Sequence, residues 1–263
     1  MTPDPAAVKA CCAAVYGGDA AHWLLGERLH PGGRELTAQL LCHIGARPGS
    51  LVADVACGPG ASAIQAVTEM GCEAIGLDLS PDNVRLARAF AERGGLDGRA
   101  RFAVADAEAL PLEDASVDGV LCECALCTFP DGERAAHELT RILRPDGRLA
   151  LSDMTGEPRR LPDELRSLDA WVACLANVRP RDDLEALLAG AGLLVEYVAR
   201  HDDALEALIE RADARLRLAR ALEAGVPAAL VGSIDRASEV AAAARRALAA
   251  SALGYAVVIA RRP

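Results

Sequence analysis

The sequence predicts an α/β protein: a doubly wound, mostly parallel sheet of seven strands, helices on both faces, and a helical insertion near the C-terminus. Three observations carry that expectation. From about residue 36 to 155, short strand-like and helical stretches alternate, as βαβ units do. A glycine turn, Cys57-Gly-Pro-Gly60, follows the first strand-like stretch directly. Acidic residues stand at or near the ends of the first three strands, at Asp54, Asp78 and Asp106.

Each element follows from a local pattern. Leu36 to Ile44 has helical periodicity and stops at Gly45. Leu51 to Ala56 is a short apolar strand running into the glycine turn. Ala61 to Gly71 is amphipathic, and Glu73 to Asp78 is the second strand. Ser80 and Pro81 form a cap and first turn, opening a helix to about Arg93. Strand-like stretches recur at 100–105, 118–123 and 147–153. Beyond residue 155 the spacing predicts helices at 163–178, 182–191, 204–224 and 237–253, and strands at 193–198 and 255–260. The last strand is too apolar for an exposed edge, so it should rejoin the sheet antiparallel to its neighbour.

Composition narrows the function classes. Of 263 residues, 52% are hydrophobic and 25% charged, enough for a packed core and too apolar for disorder. The 38 acidic residues against 28 basic ones, net charge -10, argue against nucleic acid, whose binding depends on Lys and Arg. No stretch reaches the ~18–20 apolar residues of a membrane span. The N-terminus carries polar and acidic residues where a secretory peptide would be apolar, so the chain reads as cytoplasmic. With three Phe, two Trp and three Tyr, the core must be aliphatic. The nine cysteines are Cys11, Cys12, Cys42, Cys57, Cys72, Cys122, Cys124, Cys127 and Cys174. An odd number of thiols in a reducing compartment suggests packed thiols, ligands or nucleophiles, not a disulfide framework.

Open α/β sheets bind ligands beyond the carboxyl ends of their strands. A glycine turn there lets backbone approach the ligand, and an acidic residue about 20 positions later is placed to take ribose hydroxyls. Gly-Pro-Gly-Ala lacks the full dinucleotide spacing, and Asp54 beside it suits a cationic cofactor better than a pyrophosphate. Four segments, DVACGPG, GLDLS, ADAEALPLEDASVDGV and RILRPDGRLALSD, resemble the successive motifs of class I S-adenosylmethionine-dependent methyltransferases over roughly residues 45–155. Any one could be a solvated loop carboxylate or a turn glycine; four in series are harder to dismiss. The resemblance implies the Rossmann-like methyltransferase fold and S-adenosyl-L-methionine as cofactor. It divides the chain into an N-terminal lid segment (1–35), a cofactor-binding core (36–160) and a C-terminal part with substrate-side helices and the last strands (161–263). Gly58 and Gly60 would flank the methionyl part, with Tyr16 from the lid. Asp78 and Leu79 would meet the ribose, Asp106 the adenine amino group, and Ala107 would donate a backbone N–H. Asp54 and Cys122 complete the expected cofactor surround.

The loop after the fourth strand should face the transferable methyl group, and here it carries Cys122, Cys124 and Cys127. If the strand persists, Cys122 and Cys124 point the same way. The spacing does not match a zinc site. Soft thiolates select thiophilic centres. ECALCTFPDG is similar to the strand-4 segment of arsenite methyltransferases, and WVACLA followed by DDLEALLAGAGL resembles that family's later cysteine segment. This second resemblance puts Cys124 and Cys174 at the substrate thiols. The family's further cysteine has no counterpart at the usual place, and Cys12 is the preferred third ligand; Cys122 and Cys127 are extra thiols at the site. Cys42, Cys57 and Cys72 read as structural. The implied reaction methylates arsenite, bound as a thiolate complex or delivered as a thiol conjugate, with a thiol reductant as partner. Two alternatives stay open. One is a small-molecule O-, N- or C-methyltransferase using a base such as His22, His30 or Glu123, its cysteines merely packed. The other is a non-enzymatic, thiol-rich metal-binding protein.

Overall fold

The computed structural model describes residues 4–26, 28–96, 98–165, 178–222, 226–227 and 232–263. Its strands are β1 (Leu51–Val55), β2 (Glu73–Asp78), β3 (Ala100–Val104), β4 (Val117–Glu123), β5 (Leu143–Gly156), β6 (Leu194–Arg200) and β7 (Leu253–Arg261). They form one seven-stranded sheet in the order β3-β2-β1-β4-β5-β7-β6. The β1–β5 ladders are parallel. β7 inserts between β5 and β6, antiparallel to both. This is the Rossmann-like architecture expected from the sequence. The chain winds outward from β1 to β3 and then returns to β4 on the other side of β1, which makes the β1/β4 boundary the switch point where such sheets take ligands.

The described helices are α1 (Pro5–Tyr16), α2 (Asp19–Leu25), α3 (Gly33–His43), α4 (Ala61–Gln65), α5 (Pro81–Arg93), α6 (Gly132–Ile142), α7 (Arg181–Gly190), α8 (Asp202–Leu222) and α9 (Ile234–Ala249). α5 starts as its sequence dictates: Pro81 sits in the first turn and the Ser80 hydroxyl accepts from the Asn83 N–H at 3.4 Å. α6 is capped by Asp131, which accepts from the Arg134 N–H at 2.9 Å. Strand alternation then sorts the apolar residues into two layers. Val52, Leu121, Ala150 and Val257 pack with Leu40 and Leu41 of α3, Val84 of α5 and Ala247 of α9. Ala53, Val120, Leu149 and Val258 pack with Leu139 and Ile142 of α6 and Leu184 of α7.

Several boundaries differ from expectation. The helix expected over 61–71 is five residues of α4 followed by a π-helical turn, Ala66–Met70, ending at left-handed Gly71. The helix expected to reach 253 ends at Ala249; Ser251 takes a left-handed φ of 51° and turns the chain into β7. Of the helix expected at 163–178, Asp163–Leu165 is a 3-10 turn and the rest lies outside the described residues. No described helix is long and apolar enough to cross a membrane.

Candidate cofactor and acceptor cleft

A cleft opens beyond the carboxyl ends of β1, β2 and β4, with α1 along one side. Its floor is shaped by backbone. After β1, Ala56 adopts φ 60°, Gly58 φ 53° and Gly60 φ 82°. A Cβ on Gly60 would fall 2.6 Å from the Phe102 ring and 2.8 Å from Ala87 Cβ, so the turn packs onto β3 and α5 only as glycine. Gly58 donates its N–H to Asp78 Oδ2 at 2.8 Å. The other Asp78 oxygen accepts from the Ser80 N–H at 2.8 Å and the Asn83 amide at 3.2 Å. Burial pushes the Asp78 carboxyl above its ordinary value in spite of these donors. Asp54 accepts from the Ala63 N–H at 3.0 Å and so ties β1 to α4. Burial, together with the charge of Glu123, raises Asp54 to about 8.

The other end of the cleft is held by side chains. Lys9 of α1 donates to Asp106 Oδ2 at 2.7 Å and to Glu108. Burial works against the charged form of Asp106, but the Lys9 ammonium and the Glu108 N–H outweigh it and hold the carboxyl below its ordinary value. Near the β1/β4 switch point, Glu123 accepts from Ser62 at 2.7 Å and Thr37 at 3.0 Å, with His30 Nδ1 3.5 Å away. His30 Nε2 and Asn83 Oδ1 are buried without a hydrogen-bond partner, and both residues line the cleft.

Of the residues singled out by sequence, Tyr16, Asp54, Gly58, Asp78, Leu79, Asp106 and Ala107 line the cleft, as do Cys12 and Cys124. Gly60 stands behind the wall as the packing glycine. Cys122 and Cys124 do not share a face. β4 ends at Glu123, and Cys124 takes a left-handed φ of 54° with its N–H bonded to the Ser152 carbonyl. That turn sends the Cys124 side chain to the α3 side and into the cleft, while Cys122 stays buried in the α6-side core. Neither Cys122 nor Cys127 is part of the cleft wall. Cys57, read as structural, does line it, although burial and the neighbouring Asp54 and Asp78 charges push its thiol well up. Cys174 lies outside the described residues. Among the described residues no group of three or more His, Cys, Asp or Glu is arranged to hold a metal ion. Sequence reasoning missed Lys9, Arg28 and Asn83; their approach is tertiary, and only Asn83, three residues after a cap, left a local signal.

The fit to S-adenosylmethionine can be tested on these atoms. The cleft is lined by four carboxylates, Asp54, Asp78, Asp106 and Glu123, against the cations Lys9 and Arg28, which suits a sulfonium. The unpartnered Asn83 oxygen and the remaining lone pair of Asp78 are adjacent acceptors for a pair of hydroxyls. The residues present fit the cofactor.

Known proteins point the same way. Residues 53–151 match the family described as "Methyltransferase domain". The chain is 30% identical to an arsenite methyltransferase of Halobacterium salinarum, over 60% of this chain and 41% of that protein. It is 32% identical to the 27-O-demethylrifamycin SV methyltransferase of Amycolatopsis mediterranei, over 65% of this chain and 68% of that one. Several other curated relatives are matched over only about half to three fifths of their own length. Among solved structures, the [4+2]-cyclase SpnF shares the fold with a TM-score of 0.76 at 22% identity, covering 97% of this chain and 93% of that one. Phosphoethanolamine N-methyltransferase 2 of Haemonchus contortus, in complex with S-adenosyl-L-methionine, gives 0.79 at 20% identity, over 93% of this chain and 56% of that one.

Proposed function

The chain belongs to the class I S-adenosylmethionine-dependent methyltransferases, and from that membership we propose that it methylates a small soft acceptor held by cysteine thiols, trivalent arsenic (arsenite) above all. The observation that carries this reading is the backbone at Cys124. A non-glycine residue held at φ 54° is strained by about 1–3 kcal/mol, and such strain concentrates at functional sites. Here it turns a thiol out of the core and into the cofactor cleft, where Cys12 of α1 also lies. Cys57 and Cys122 are poor ligands by comparison, since burial keeps both protonated. Cys174 completes the proposed set by its resemblance to the second cysteine segment.

The cofactor, when bound, supplies a methyl group activated on a sulfonium. Gly58 shapes the floor beneath it, Asp78 and Asn83 receive the ribose, and Asp106 the purine. Glu123 places negative charge in the buried cleft, beside an Asp54 carboxyl that burial and that charge raise to about 8. A thiol-held arsenic carries its own lone pair, so the chain has to position and desolvate the acceptor and needs no base. The 30%-identical halobacterial relative supports the same acceptor.

A second reading is favoured by one observation. His30 presents an unpartnered, buried Nε2 in the cleft wall while its Nδ1 lies 3.1 Å from the Pro31 carbonyl, with Glu123 3.5 Å away. With Nδ1–H donated to that carbonyl, Nε2 is suited to taking a proton from a hydroxyl acceptor, and the rifamycin relative acts on oxygen by its name.

One experiment separates the readings: arsenite, glutathione and methyl-labelled cofactor are incubated with the protein, and the arsenic products are speciated. Labelled methylarsenicals from the wild type, lost by on the order of 10²-fold in Cys124→Ala while S-adenosylhomocysteine still binds, are the expected result. Cofactor binding with no arsenic product would overturn the arsenic reading and turn attention to hydroxyl acceptors.

A further inference from the structure

The chain between α2 and α3 forms one wall of the cleft, which Arg28, Leu29 and His30 all line. Leu29 packs over the glycine turn, its Cδ1 3.5 Å from where a Cβ on Gly58 would stand. The helix that leads into this wall is a weak anchor. α2 has seven residues and no side chain caps its start at Gly18, so it is too short to hold a fixed end by itself. Its last carbonyls are taken up in two ways. The Gly26 N–H bonds the His22 carbonyl at 2.9 Å. The Trp23 and Leu24 carbonyls accept from Arg215 Nη1, at 3.0 and 2.8 Å. Arg215 belongs to α8, 192 positions after Trp23, and its cation suits the negative end of a helix.

Gly26 joins the anchor to the wall. It takes φ 96° and ψ -168°, a conformation open essentially to glycine alone. The Arg215 guanidinium nitrogens lie 3.5 Å from where a Gly26 Cβ would be, so the group that closes α2 also packs against the turn leading into the wall. We propose that Arg215 is a positioning residue for cofactor binding: by closing α2 it fixes the turn at Gly26, and so holds Leu29 over Gly58. The inference rests on the reading that this cleft takes the cofactor. It gives a task to α8, no described residue of which lines the cleft. The C-terminal helices thus act on the site at a distance, through the N-terminal segment they clamp.

Calorimetric titration with S-adenosylhomocysteine, beside thermal melting, tests this. Arg215→Met should weaken binding about tenfold, and Arg215→Lys, which keeps a cation able to donate to the carbonyls, should stay within about threefold of the wild type. Leu29→Ala alone should also weaken binding. In that background Arg215→Met should add less than about twofold, because both substitutions act along one path. Gly26→Ala, which displaces the same turn and leaves α8 untouched, should lose affinity much as Arg215→Met does. A lowered melting temperature in Arg215→Met with unchanged affinity would mean that Arg215 only packs α8, and would overturn the proposal. The full Arg215→Met loss on top of Leu29→Ala would overturn it too. Should Arg215→Met not fold, wild-type affinity in Gly26→Ala is the overturning result. A wild type that binds no S-adenosylhomocysteine would sink the reading of the cleft, and the inference with it.

Discussion

Asp78 closes β2 and Asp106 stands two residues past the end of the neighbouring β3, and the protein treats them differently. Asp78 is buried and held by two backbone N–H groups and the Asn83 amide. Asp106 is about one-third exposed and is held by a backbone N–H and the Lys9 side chain from another part of the chain. Burial raises the first carboxyl; the Lys9 ammonium lowers the second. One end of the cleft is therefore a preformed cradle that cannot adjust without moving the β1 turn. The other is a clasp, made by a side chain that can let go.

Substituting the two residues is the strongest way to break that contrast. Asp78→Ala removes a buried acceptor with three donors, each charge-assisted bond contributing about 1.5–3 kcal/mol. S-adenosylhomocysteine affinity should fall by on the order of 10²-fold in calorimetry, with a lowered melting temperature. Asp106→Ala should cost less than about tenfold, because the lost bond is partly solvated. Equal losses at the two positions would erase the distinction between cradle and clasp.

A smaller effect probes the cradle's backbone. Gly60→Ala places a methyl group against Phe102 and Ala87 at a left-handed φ of 82°, whereas Gly49→Ala, at φ 84°, meets nothing within 4 Å. Both substitutions bear the left-handed cost of about 1 kcal/mol. Gly60→Ala should add overpacking of about 1–3 kcal/mol and lower the melting temperature by several degrees more than Gly49→Ala. A matching decrease in both would mean that the turn is not wedged against β3 and α5.

The same division decides what could be read from the sequence. The strands and the glycine turn were legible because they follow from local patterns: apolar alternation, a Ser-Pro cap, glycines where φ must be positive. Asp54, Asp78 and Asp106 were legible because the ends of parallel strands are fixed by topology. Lys9 and Arg28 were not. Lys9 precedes Asp106 by almost a hundred positions, and nothing near it in sequence says which carboxylate it will reach. The face of Cys124 was misjudged for a related reason. Period-two alternation holds only while a strand lasts, and β4 ends one residue before that thiol. Helix α9 was overextended because Ala-rich sequence continues to 252, and the stop comes from Ser251, which carries no strong breaker signal.

The finest test of the cradle uses its charge. Asp54 lies at about 8, so near neutral pH it is mostly protonated in the unliganded protein. Its folded value stands above the ordinary 3.8, so the stability it contributes is fully present below about 4 and is lost as pH rises through about 8. A sulfonium in the cleft favours the ionised carboxylate, whereas the thioether of S-adenosylhomocysteine does not. Binding of S-adenosylmethionine should therefore release part of a proton near pH 7, seen as a dependence of the calorimetric heat on the ionisation enthalpy of the buffer. If the sulfonium lowers Asp54 by about one unit, the affinity for S-adenosylmethionine relative to S-adenosylhomocysteine should rise roughly fivefold between pH 6 and pH 8. Asp54→Asn should flatten that rise. A ratio independent of pH in the wild type would mean that the charge balancing the sulfonium comes from elsewhere, with Glu123, whose negative charge helps to hold Asp54 protonated, the next group to replace.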